Sequence, residues 1–172
     1  MNSAVEPARL SLADLSHDDC LIYGIGNVGR QDDGLGWAFV DWLEAAGLCI
    51  EAERVRNYQL FLEDADLISS KQKVLFIDAT RSPEVSTFSL YRARAELDFS
   101  FTSHAISIPS IIATCQLCFE RQPEVYVLAI RGYEWELQEG LTIAAKSNLD
   151  AAIAHFSAEL TETHSGPATR KG

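Results

Sequence analysis

At 172 residues the chain suits a single domain, with enough core to need no disulfide or metal staples. Its 25 acidic against 14 basic residues give a formal charge of -11, which repels phosphate backbones and anionic membranes and argues against nucleic-acid and membrane partners. No apolar run approaches the ~18–20 residues of a membrane span, and the first twenty residues lack the basic start and apolar core of a secretory signal, so a cytoplasmic protein is expected.

Residues 1–18 carry no sustained pattern and are expected to be weakly structured. Cys20 to Gly26 reads as a buried strand running into closely spaced glycines, Gly24-Ile25-Gly26-Asn27-Val28-Gly29. Leu35 to Ala46 reads as a helix, with Trp37, Phe39, Val40 and Leu43 available for burial and Gly47 as its stop. Leu48 to Val55 is expected as a second strand and Leu60 to Ile68 as a second helix. Val74-Leu75-Phe76-Ile77 is the clearest strand, apolar enough to be covered on both faces, with Asp78 at its end. Thr87 to Arg94 alternates, as a more exposed strand would, and an antiparallel pairing suits it. Ser107 to Arg121 reads as a helix with Ser107 as N-cap and Pro109 in the first turn, Val125 to Ile130 as a last core strand, and Leu141 to Leu160 as a closing helix. Strands alternating with helices predict a three-layer α/β/α sandwich with a mostly parallel, twisted sheet of about five strands. This places a single α/β domain over 19–160, followed by a polar tail at 161–172 expected to be disordered.

The four cysteines suit a reducing compartment. Cys20 and Cys49 fall on predicted strands, while Cys115 and Cys118 form a lone CxxC inside a predicted helix, with no second pair or histidine at zinc spacing. They are expected to be small core residues on one helix face.

In a parallel sheet the carboxyl ends of the strands share one edge, so residues that follow different strands can meet there. Asp32 and Asp33 follow the first strand, Asp78 ends the third, and His104 precedes the helix that Ser107 opens. Gly24, Gly26 and Gly29 satisfy GxGxxG, the pattern of a dinucleotide loop. Two carboxylates just behind them would oppose a pyrophosphate at the helix N-terminus, which disfavours that alternative. Asp33 beside Gly34 could equally be a helix cap, and Asp32 suits a capping or loop-shaping role better still. Asp78, closing an apolar strand, needs hydrogen bonds or a cation. Two carboxylates and a neutral histidine make a credible N/O site for a divalent ion with open positions. Gly26 and Asn27 suit a supporting turn.

On these residues the chain resembles the hydrogenase maturation endopeptidases, which trim the C-terminal extension of the large subunit of nickel-containing hydrogenases. The resemblance spans roughly residues 20–156. It rests on Gly24-Ile25-Gly26-Asn27 with Asp32-Asp33-Gly34-Leu35-Gly36, on Phe76-Ile77-Asp78-Ala79, on Ser103-His104, and on Gly132-Tyr133-Glu134-Trp135 with Gly140-Leu141. It implies an α/β sandwich and an endopeptidase in which Asp33, Asp78 and His104 coordinate nickel and carry the reaction. The nickel would arrive mounted in the precursor of the large subunit, the protein substrate, rather than reside in this chain. Some members carry glutamate at the first position. The shorter Asp33 loses about a methylene of reach, which leaves Asp32 as the alternative ligand. Gly26, Asn27, Asp32 and Gly34 would support the loop, and Tyr133 and Trp135 would line a peptide groove. A non-catalytic, metal-dependent chaperone of a hydrogenase subunit is the rival reading. With no large exposed apolar stripe, a monomer is expected.

Overall fold

A computed structural model describes residues 7–97 and 106–162. Five strands form one sheet in the order β2-β1-β3-β5-β4, with β1 (Cys20–Ile25), β2 (Glu53–Asn57), β3 (Lys73–Thr80) and β5 (Glu124–Arg131) parallel and β4 (Phe88–Arg92) antiparallel to β5. The helices α1 (Leu35–Ala45), α2 (Asp64–Ser69), α3 (Ile108–Phe119) and α4 (Ile143–Glu162) cover both faces, so the expected α/β/α sandwich forms. Among the described residues no helix is long and apolar enough to cross a membrane.

The period-2 alternation of the strands sorts the core in two. Ile22, Leu75, Ile77, Leu128 and Ile130 face α1 and α4, whereas Leu21, Tyr23, Val74, Phe76, Val125 and Val127 face α2 and α3. β3 is apolar on both faces because both are covered. It runs on to Thr80, so Asp78 lies inside the strand, opposite Ala129, rather than beyond its end.

Several boundaries differ from the sequence expectation. β2 starts at Glu53 rather than Leu48, because Cys49 takes a left-handed φ of 51° and accepts from the Ala52 amide in a turn. α2 begins at Asp64, since residues 61–64 form a turn in which Asp64 accepts from the Phe61 amide at 2.8 Å. Cys115 is buried but Cys118 is exposed, so only one of the pair belongs to the core. Ser107 does cap α3, accepting from the Ser110 amide at 3.2 Å. Of the leader expected to be weakly structured, residues 7–18 are packed: Pro7 bridges Tyr91, the Ala8 amide donates to the Leu90 carbonyl, and Leu10, Leu12 and Leu15 are buried. Residues 1–6 lie outside the described part; of the tail expected to be disordered over 161–172, residues 161–162 instead continue α4, and 163–172 lie outside the described part.

The first turn of α1 crosses the sheet at the carboxyl ends of β1 and β3. A Cβ added to Gly36 would stand 2.4 Å from the carbonyl oxygens of Ile25 and Ile77, so only glycine allows this approach. Gly36→Ala is therefore expected to cost about 2–3 kcal/mol by forcing the helix off the sheet. A urea midpoint equal to that of the parent protein would show that the helix tolerates the shift.

Candidate active site

Strand order places the crevice. β2 lies on one side of β1 and β3 on the other, so the chain reverses its direction of winding between β1 and β3, where open α/β sheets receive ligands. The loop after β1 and the last residues of β3 meet at that point, in a cleft of about 450 Å³ lined by Asp33, Asp78, Arg30, Arg81 and Trp135.

The first loop is two short 3-10 turns, Val28–Gly34, joined by a kink at Arg30 and Gln31. The Asn27 side chain opens it by accepting from the Gly29 amide at 2.9 Å, and the Asn27 amide closes it by donating to the Asp33 carbonyl at 3.1 Å. Gly26 sits at φ 141°, and a Cβ there would collide with the Asp33 carbonyl oxygen. Gly26 thus serves close backbone approach within the loop, a role that needs no phosphate.

The two adjacent aspartates have opposite fates. Asp32 is fully buried, and its carboxylate accepts from the amides of Tyr133, Glu134 and Thr142 and from the Thr142 hydroxyl, at 2.8–3.1 Å. Burial alone would raise its carboxyl, but the donations from Thr142, Tyr133 and Glu134 together outweigh it and hold the group below its ordinary value. Asp32 is therefore the clasp that binds the first loop to segment 132–142. Its neighbour Gln31 reinforces it from a left-handed φ of 47°, with its amide donating to the Gln138 carbonyl and its side chain bonding Glu134 and the Glu136 amide.

Asp33 faces the cleft instead. Burial raises its carboxyl, against the pull of Arg30 and Arg81. Burial also pushes the Asp78 carboxyl up to about 7; the Ala79 amide works against this and the Asp33 charge adds to it. Two carboxylates each made costly to ionise by their surroundings form a site that favours either a shared proton or a cation.

The other predicted positions divide. Asp33, Asp78 and Trp135 come together on one cleft, and Tyr133 stands beside it, with its amide on Asp32 and its hydroxyl accepting from Asn148. Gly34 packs against Val28 within the loop. His104 lies outside the described residues. Among the described residues no three His, Cys, Asp or Glu side chains gather as a metal site. Sequence reasoning missed Arg30, Gln31, Arg81 and Thr142. The first two lie in the motif loop itself, and Arg81 comes three residues after Asp78, but nothing local marks Thr142.

No protein-family model matches the sequence, and no curated protein matches it. Solved structures do. The hydrogenase maturating endopeptidase HybD from E. coli superposes with a TM-score of 0.62 at 18% identity, covering 84% of this chain and 93% of that one. The [NiFe] hydrogenase maturation protease HycI from Thermococcus kodakarensis gives 0.64 at 17% identity, over 83% and 92% of the two chains. A hydrogenase 2 maturation peptidase from a Thaumarchaeota archaeon gives 0.58 at 18% identity, over 82% and 97%. Likeness at such low identity speaks to architecture, and over more than four-fifths of its length this chain has the fold of the hydrogenase maturation endopeptidases.

Proposed function

We propose that the protein is an endopeptidase that removes the C-terminal extension of a nickel-loaded [NiFe]-hydrogenase large-subunit precursor, acting as a monomer in the cytoplasm. The observation that carries this reading is the pair Asp33 and Asp78, set on one cleft at the β1–β3 crevice and both raised by burial. A divalent cation presented by the precursor would offset the cost of ionising both. His104 is the third ligand in this reading. Asp78 shares its strand face with Phe76, and Ile106, two residues after His104, packs into the core on that same face. Asp33 is preferred to Asp32 as a ligand because the Asp32 oxygens are already occupied by four donors.

In the hydrolytic step a water oxygen attacks the scissile carbonyl carbon and gives a proton to the Asp78 carboxylate. The C–N bond then breaks, and the proton passes to the departing amine. A carboxylate held in the same cleft as the scissile bond is placed for that exchange. Cation contact through Asp33, Asp78 and His104 would restrict cleavage to precursor that already carries metal.

The test is incubation of the purified protein with nickel-loaded and nickel-free precursor, followed by mass analysis. Loss of the C-terminal peptide from the loaded form alone is expected. An intact C-terminus after stable complex formation would make the protein a chaperone, and cleavage of both forms would remove the metal from the mechanism.

A further inference from the structure

Two clefts open side by side on the rim. Beside the acid cleft lies a second, of about 550 Å³, walled by Tyr133, Glu134, Leu137 and Gln138, and Arg30, Arg81 and Trp135 belong to both. Trp135 orients both cations. The Arg81 guanidinium carbon sits 4.3 Å from its ring centroid, and Arg30 Nη2 donates to its carbonyl at 3.3 Å.

Among the described residues neither cation makes a contact ion pair, although the charge of each acts on Asp33 across the shared cleft. Among the described residues the ion pairs join Arg56 to Asp41 and Glu44, Lys71 to Glu53, and Lys73 to Glu124. Arg30 and Arg81 join none, although two acids share their cleft and the chain carries 25. Glu134, on the adjoining wall, accepts from the Gln31 amide group instead. A guanidinium presents five donors in a planar fork that fits a carboxylate, and most of the donors on these two remain open. The wall behind them is held by the Gln31 and Asp32 contacts with residues 133–142, so little ordering is needed for a ligand to bind.

We propose that Arg30 and Arg81 clamp a carboxylate of the substrate peptide at the divide between the two clefts. The bond to be cut then lies over Asp33 and Asp78, and the chain beyond it runs into the second cleft. There Leu137, 88% exposed, offers an apolar seat. This assignment rests on the endopeptidase reading. The carboxylate is either an Asp or Glu side chain of the extension or its free C-terminus, and the same fork receives both.

The experiment titrates synthetic peptides into the full-length Asp78→Asn protein, which binds without cutting, while following the Trp135 indole resonance, assigned through Trp135→Phe. Four peptides share one sequence, with Asp or Asn at the tested position and a free or amidated C-terminus. Removal of the recognised carboxylate is expected to weaken binding about tenfold, and the peptide that suffers identifies its source. Arg81→Gln should impose the same loss on the acidic peptide. Arg81→Glu should recover binding to a peptide carrying Lys there, which a merely structural role would not produce. Equal binding of all four peptides, an unmoved Trp135 signal, or wild-type affinity in Arg81→Gln would overturn the clamp. Failure of the wild-type protein to process loaded precursor sinks the endopeptidase reading and leaves this titration standing. Processing with indifferent peptide binding sinks the clamp alone.

Discussion

Asp78→Asn is expected to abolish processing of nickel-loaded precursor, by about 10²–10⁴-fold or more, while making the metal-free protein more stable at about pH 8. The two effects have one origin. The folded protein binds the Asp78 proton more tightly than the unfolded chain does, since burial lifts the carboxyl from 3.8 to about 7. Between those values the folded state holds more protons, so stability falls as pH rises through the window, and above about 7 the full penalty applies. Asparagine never ionises and escapes it. Because Asp78 keeps some exposure, the gain is discounted to about 2 kcal/mol. Urea midpoints of both proteins at about pH 4.5 and 8 provide the check: the curves should nearly coincide at the lower pH and separate at the higher. Parallel profiles across the range would mean that the site already stabilises the charge without a cation.

What the sequence discloses depends on how far the determining contacts reach. β3 is legible because burial on both faces writes itself into four consecutive apolar residues, and the α3 cap because Ser107 acts on an amide only three residues away. The convergence of Asp33 and Asp78 follows from the rule that parallel strands share a carboxyl edge, so the pair could be expected before any coordinates. The late start of β2 could not. A left-handed Cys49 is set by packing, with its thiol donating to the Leu12 carbonyl in a segment that had no readable pattern. The division of labour between Asp32 and Asp33 was equally hidden. It is decided by amides about a hundred residues along the chain, and an amide has no side-chain signature. Arg30 and Arg81 are hidden for a related reason: a cation reads as ordinary surface until it is seen to lack a contact ion pair.

Asp32→Ala is expected to be the most damaging single change to stability, costing about 3–5 kcal/mol. It would leave the amides of Tyr133, Glu134 and Thr142 and the Thr142 hydroxyl without an acceptor in a place water does not reach. The left-handed Gln31 beside it would lose the anchor that holds its strained backbone. Asp32→Asn separates shape from chemistry. It keeps the volume but turns an amide donor toward a ring of donors, so it should fall nearly as far as alanine. The pH dependence has the opposite sign to that of Asp78. The carboxyl of Asp32 is held low, so its stabilisation is present above the unfolded value of 3.8 and is lost as pH falls through the lower folded value. Both variants should therefore lose the acid limb of the stability profile as well as its height. Hydrogen exchange at the Tyr133, Glu134 and Thr142 amides reports the same contact directly, and protection there should collapse before the sheet amides respond. If Asp32→Asn keeps wild-type stability and slow exchange at those three amides, segment 132–142 is held by something other than the clasp, and the rigid wall beneath Arg30, Arg81 and Trp135 needs another cause.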